Sequence, residues 1–426
     1  MPVASHSRGL SAASLAGIGI LTIVLAGCST STTGEGAGDG NTLTFASGQQ
    51  AAAQALIDGF EEANPEYTIK ADFIEQDSAY IQQLRTQLSA GTAPDVFKVW
   101  PSGGDAMAIW QVAKDGLVAP LDDAEWASDV PENLFDVSSL DGTLYSLPAT
   151  TGGIGAIYND QALEEIGAVA PTTWSEVLEL CHAATSAGKV AYALGNKDAW
   201  TAQLLPYALT ATLVYGPNPS FTADQEAGEA SFSESRWVEA LEKVQQMRDA
   251  GCFNEGPNGT SYDAQMTLVA TGDALGAVHV SQAVSAAIQY ADEATTFSLA
   301  PMPATDDPAE TYVPVAAGIN FAINAEAKNP ELAAKFLAYV ASPEGQALFA
   351  VASNSSPALP ADGYEPDAIN KTLLEAQESG RASVYPDQTW PNTQVKEEYL
   401  IAMQELFNDG VQPAELLQRL DDAFNS

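Results

Sequence analysis

Hydrophobic residues recur along the chain in two rhythms, every second residue in short runs and every third or fourth in longer ones, the signatures of strands and helices. Leu43-Thr44-Phe45-Ala46 predicts a short strand, and Leu56, Phe60 and Ala63 line one face of a helix from Gln54 to Ala63 that stops before Pro65. Tyr67 to Ile74 alternates as a strand. Tyr80, Ile81, Leu84 and Leu88 mark a second helix closed by Gly91, and Val96 to Val99 is a third strand. This βαβαβ order predicts a parallel sheet with helices on both faces. Ligands of such sheets sit in the loops after the strand C-termini. Here those loops are Ser47-Gly48-Gln49-Gln50, Glu75-Gln76-Asp77 and Trp100-Pro101-Ser102-Gly103-Gly104.

A second α/β region begins near Gly152. Thr173-Trp174-Ser175-Glu176 has capping-box spacing and opens a helix with Trp174, Val177, Leu178 and Cys181 on one face. Ser235 to Ala250 predicts another amphipathic helix, burying Trp237, Leu241, Val244 and Met247. Ala333, Phe336, Leu337 and Val340 follow Asn329-Pro330-Glu331 with helical spacing. Two helices, Lys396–Asn408 and Pro413–Phe424, close the chain.

The N-terminus has a different character. Residues 1–9 carry Arg8 and no acid, an uncharged apolar run extends from Leu10 to Ala26, and Leu25-Ala26-Gly27-Cys28 ends it. That run has the length of a signal-peptide core and is short for a spanning helix, which needs ~20 residues. Leu-Ala-Gly-Cys resembles a bacterial lipobox, which implies diacylation of the Cys28 thiol followed by removal of residues 1–27. Residues 28–40, rich in Ser, Thr and Gly, read as a lipid-anchored flexible tether. The mature chain is therefore expected outside the cell, anchored on the membrane by acyl chains. Cys181 and Cys252 then face an oxidising compartment, where they form either a disulfide or two separately buried thiols. His182 points off the apolar face of its helix, which argues against a Cys/His catalytic pair.

Composition narrows the function further. The 426 residues, 46% of them hydrophobic, suffice for two or three domains with a real core. Sixteen basic against 56 acidic residues give a net charge of −40, which repels phosphodiester backbones and disfavours anionic substrates. Only two histidines lie beyond the leader, so a His-rich metal site is excluded. No phosphate-binding Gly-x-x-x-x-Gly-Lys-Ser/Thr run occurs, and Gly152-Gly153-Ile154-Gly155 lacks dinucleotide-loop spacing, so no cofactor is expected. With so many carboxylates, some pair always has glycosidase spacing; acid pairs alone therefore do not point to an enzyme.

Several segments carry a resemblance. Phe60-Glu61-Glu62-Ala63-Asn64-Pro65, Ser89-Ala90-Gly91-Thr92-Ala93-Pro94-Asp95-Val96, Leu144-Tyr145-Ser146-Leu147-Pro148 with Tyr158-Asn159, Thr172-Thr173-Trp174-Ser175-Glu176, Pro301-Met302-Pro303, and Ala317-Gly318-Ile319-Asn320 with Lys328-Asn329-Pro330-Glu331-Leu332-Ala333 come in one order. Together they make residues 43–426 resemble a family 1 extracellular solute-binding protein of a bacterial ABC importer, of the carbohydrate or maltodextrin type. The resemblance implies an α/β, two-lobed periplasmic-binding-protein-like fold (type II) with the ligand cleft between the lobes. It places an N-lobe at 43–149 plus 318–366 and a C-lobe at 150–317 plus 367–426, hinged near Thr150, Val315 and Asp367. It also implies a monomer that hands its solute to ABC permease subunits.

Sugars present apolar C–H faces and a rim of hydroxyls, so their sites need aromatic platforms with amides and carboxylates around them. Trp100, Trp200 and Trp390 are the candidate platforms, with Gln49, Gln50 and Asp198 for hydroxyls. Ser102, Thr150, His279, Gly318 and Asn320 complete the expected ligand-contacting set. Trp174 and Trp237 read as core residues, while Trp110 and Trp126 stay open. Maltodextrin binders carry a carboxylate at the position matching Gly152 and a tryptophan at that matching Val278, so the resemblance does not imply maltose. The expected ligand is a neutral sugar or oligosaccharide; the alternative is a polyamine, an amino-acid derivative or a glycerophosphodiester on the same fold. A surface adhesin is a further class.

Overall fold

The computed structural model describes residues 40–426 other than 362 and 409. The leader, Cys28 and the tether up to residue 39 lie outside the described residues. Strand β1 (Thr42–Ser47) pairs in parallel with β2 (Thr68–Phe73) and β3 (Val96–Val99). The helices Gln50–Ala63 and Asp77–Ser89 form the two crossovers. The first begins four residues before the hydrophobic periodicity announces it. Ala52 and Ala53 are buried there, but alanine contributes little to an apolar pattern.

Strands β4 (Ser139–Leu140) and β5 (Thr143–Leu144) form a separate ladder. After β6 (Leu147–Pro148) a single residue leads into β7 (Thr150–Asn159), buried throughout, which contains the Gly152–Gly155 run. Then come β8 (Val190–Tyr192), β9 (Ala274–Val280), β10 (Phe297–Ala300), β11 (Val313–Ala317), β12 (Asn320–Ile323), β13 (Ser356–Pro357) and β14 (Ala382–Ser383). They complete two sheets. The five-stranded one has the order β2-β1-β3-β12-β6, and the seven-stranded one β14-β11-β7-β9-β8, with β10 and β13 also on β7.

The chain thus leaves the first sheet between Pro148 and Thr150 and returns to it between Ala317 and Asn320. These two passages are bonded to each other. Gly318 N donates to the Thr150 carbonyl (2.8 Å), Ile319 N to Thr150 Oγ1 (3.2 Å), and Ala149 N to the Ile319 carbonyl (2.8 Å). β13 already pairs with β7 through Ser356 and Pro357, eleven residues before Asp367, which caps the helix Ala368–Glu378.

Several of the ordered segments have plain structural work. Asp95 accepts from Thr44 N (2.9 Å) and Oγ1 (2.6 Å) with one oxygen, and from Lys328 N (2.6 Å) and Asn329 N (3.2 Å) with the other. Burial alone would raise its pKa, yet these bonds hold the carboxyl below its ordinary value. Asn329 caps the helix Pro330–Ala341, with Pro330 in its first turn. Thr173 and Glu176 close a full capping box on the helix Trp174–Ser186. Cys181, in that helix, is joined to Cys252 by a disulfide, with the Cα atoms 4.6 Å apart. Among the described residues no helix is long and apolar enough to cross a membrane.

Candidate functional site

On the first sheet, the carboxyl ends of the parallel strands β1 and β3 gather polar groups. Gln49 sits in the left-handed region (φ 50°), and the Glu75 carboxylate accepts from Gln49 N (3.2 Å) and Gln50 N (2.7 Å), satisfying donors that a helix start leaves open. Gln50 itself is exposed in the first helical turn. Trp100 is half-buried just past β3, its backbone held by Met107 and Ile109. Its ring meets Tyr80 edge-on at 5.8 Å, and the Lys98 ammonium lies 4.1 Å from its centroid. Lys98 Nζ also pairs with Asp77 at 2.8 Å. Tyr80 donates to the Lys98 carbonyl (2.8 Å), and burial pushes its phenol well above the ordinary pKa. Neither Lys98 nor Asp77 was a sequence candidate, because a lysine inside a predicted strand gives no hint of where its ammonium lands.

On the second sheet, β8 and β9 are parallel neighbours, and Trp200 and His279 lie in the turn after one and near the carboxyl end of the other. The half-buried Trp200 stands perpendicular to His279 at 5.0 Å and 5.4 Å from Tyr262, which lies 5.2 Å from His279. His279 Nδ1 accepts from Val280 N (3.0 Å), which leaves Nε2 as the protonated nitrogen of the neutral ring. Burial pushes the imidazole pKa down from 6.5 to about 3, so the ring stays neutral at physiological pH.

Buried side-chain atoms without a hydrogen-bond partner among the described residues occur at both places, as they do in the aromatic core around Trp390 (Trp390 Nε1 and the Tyr207 and Tyr399 hydroxyls). On the first sheet these include Ser47 Oγ, Gln49 Oε1 and Ser102 Oγ; on the second, both amide atoms of Asn196, Gln203 Oε1 and His279 Nε2. Buried polar atoms are normally bonded, so such groups at strand carboxyl ends suit a polar guest.

Other expected contacts have different roles. Trp390 is fully buried and not a platform: Tyr207, Phe232 and Tyr399 meet its ring at 6.1, 5.9 and 5.8 Å, all near perpendicular. Tyr207 and Phe232, from distant segments, and Tyr399, from the following helix, close over it. Asp198 accepts from Tyr262 N (2.8 Å) and so fixes the start of the helix Tyr262–Ala270. Thr150 and Gly318 bind the two inter-sheet passages together, as above. Asn320 is buried and donates to Ser138 Oγ (2.8 Å) and Ser146 Oγ (2.9 Å). Gly152 leaves room for Gln282: a Cβ at 152 would collide with the Gln282 amide. An amide from the segment after β9 thus fills the space that a side chain at 152 would need.

A charged bridge links loops belonging to the two sheets. Lys396 Nζ lies 3.1 Å from Asp387 and 3.5 Å from Asp105, and Gly104 lacks the Cβ that would overlap the Asp387 carbonyl. Burial works against the ammonium, but Asp387 and Asp105 more than offset it and hold its pKa above the ordinary value.

Residues 46–347 match the family model of bacterial extracellular solute-binding proteins. The chain is a member of this family. This solute-binding protein is also similar, at 23% identity over 187 residues, to the multiple sugar-binding protein of Streptococcus mutans; the match spans 43% of each chain. A structure from work on xylan utilization by Caldanaerobius polysaccharolyticus superimposes with a TM-score of 0.78 at 20% identity, covering 89% of this chain and 99% of that one. RafE, a solute-binding protein solved in complex with raffinose and, from Streptococcus pneumoniae, in its apo form, has a TM-score of 0.74 at 19% identity, covering 90% and 98%. These likenesses establish the two-lobed α/β fold for the solute-binding protein described here.

Proposed function

We propose that this protein is the lipid-anchored receptor of an ABC importer that captures a neutral sugar or oligosaccharide between its lobes and delivers it to the membrane permease. It acts by reversible binding, without turnover. The observation that carries this reading is the matched pair of strand-end sites, each with a partly exposed tryptophan beside polar side chains at the carboxyl ends of parallel strands. An indole takes the C–H face of a pyranose, and amides and hydroxyls take its rim. The sugar-binding relative and the raffinose complex are consistent with this ligand class.

The lobes are assigned to 43–149 plus 318–366 and to 150–317 plus 367–426, with crossings near Thr150, Val315 and Asp367 as hinges. Ligand that contacts both lobes favours the closed form. Cys28 carries the lipid, which keeps the mature monomer on the outer face of the cell membrane.

A thermal-shift screen of the full-length protein in detergent tests the ligand class. Raffinose and other neutral sugars form one arm; polyamines, amino acids and glycerol phosphates form the others. Ligand at ~1,000 times its Kd stabilises the fold by ~4 kcal/mol. A shift with sugars alone supports the proposal, and a shift confined to another arm overturns the sugar assignment.

A further inference from the structure

All four residues of β3, Val96–Val99, are buried, and one of them is a lysine in a chain with few cations. A buried ammonium is costly unless neighbours compensate it. Here Asp77 supplies an anion at 2.8 Å, and two ring faces lie under Nζ: Trp100 at 4.1 Å and Tyr80 at 5.0 Å. Tyr80 is in turn pinned through its hydroxyl to the Lys98 carbonyl and to the Ala46 carbonyl (3.3 Å). Nζ also lies so close to the end of β1 that a Cβ on Gly48 would touch it at 3.4 Å.

We propose that Lys98 is the positioning residue of Trp100: its ammonium, neutralised by Asp77, covers one indole face and, with the edge of Tyr80, fixes the ring so that its other face meets the ligand. The assignment rests on the sugar-receptor reading for its consequence, but not for its geometry. Two residues apart in an extended segment, Lys98 and Trp100 extend toward the same side of the sheet, which makes this contact a property of the strand. A cation over an indole is attracted by the ring's negative face, the more so when partly desolvated as here, which favours one ring orientation.

The test is a fluorine NMR spectrum of the full-length protein labelled with 5-fluorotryptophan, with the Trp100 resonance assigned by its absence in Trp100→Phe. The wild type is expected to give one narrow Trp100 line. Lys98→Met should broaden or split it, and Lys98→Arg should restore a single line. Asp77→Asn, which leaves the lysine in place, should loosen the ring partially, and it serves as the probe if Lys98→Met does not fold. In parallel, affinity is measured for whichever neutral sugar gives the largest thermal shift: about tenfold weaker in Lys98→Met and within threefold of wild type in Lys98→Arg. An unchanged Trp100 line and unchanged affinity in Lys98→Met, or an unchanged line in Asp77→Asn where Lys98→Met does not fold, would overturn the positioning role. If no sugar binds the wild type, the receptor reading fails instead, while the fluorine spectrum still decides whether Lys98 holds the ring.

Discussion

Trp390 and Trp200 are both tryptophans flanked by polar sequence, and both look like sugar platforms before the fold is known. Their surroundings separate them. Around Trp390, Tyr207, Phe232 and Tyr399 close every approach, and the side chain is fully buried. Around Trp200, Tyr262 and His279 support the indole while part of it stays exposed; buried polar atoms without a partner occur in both clusters, so exposure alone separates them. An aromatic cluster becomes a core when its edges interlock, and it can serve a ligand when one side stays open beside polar groups.

The largest expected effect tests the closed cluster. Trp390→Ala should cost ~3–5 kcal/mol of folding stability, the usual loss for a large aromatic removed from a packed core. Urea unfolding measures it, and sugar affinity of the remaining folded protein should hardly change. A variant with wild-type stability and lost affinity would return Trp390 to the ligand site.

The difference between the clusters also explains what could be read in advance. Helices and strands follow local periodicity, so the βαβαβ start and the capping box at Thr173 were legible from residues a few positions apart. The disulfide partners were legible as candidates, since two thiols remained after Cys28. Which indoles stay open was not, because Tyr207 and Phe232 reach Trp390 from distant segments, where they meet Tyr399 of the following helix. Gln282 entering the space beside Gly152 is likewise a tertiary event that residue 152 does not announce.

The next effect belongs to the open cluster. His279 is neutral and buried, with its pKa lowered from 6.5 to about 3 by that burial. The unfolded chain therefore binds a proton that the folded one refuses. The stability held by the neutral ring is complete above pH 6.5 and is lost as pH falls from there toward 3. Between pH 7 and pH 4.5 the wild type should lose on the order of 2–3 kcal/mol more than His279→Asn. Denaturant melts at both pH values check it, and parallel losses would mean that His279 is solvated.

Lys396 ties the two regions of the molecule together. Its helix, Thr393–Phe407, also carries Tyr399 of the Trp390 cluster, while its ammonium reaches Asp387 and, from the other sheet's loop, Asp105. Lys396→Met leaves two poorly exposed carboxylates unpaired and should destabilise the protein by about 2–3 kcal/mol, less than for a fully buried pair because some solvent reaches all three groups. Small-angle scattering without ligand should show a larger radius of gyration in the variant. An unchanged radius would mean that the bridge does not hold the two loops together.

The smallest expected stability effect, and the sharpest contrast with Trp390, comes from Trp200→Ala. Removing this partly buried ring should cost about 1–2 kcal/mol of folding stability, less than for Trp390 because part of its surface already meets water. Sugar affinity should fall about thirtyfold, ~2 kcal/mol, the scale set by losing one aromatic anchor of a binding site. Calorimetric titration beside a urea melt reads both quantities on one preparation. If Trp200→Ala unfolds as readily as Trp390→Ala, the two clusters are alike and the second sheet offers no platform. If stability holds and affinity falls, openness rather than residue type separates a platform from a core, and Tyr262, which packs beside Trp200, becomes the next residue to truncate.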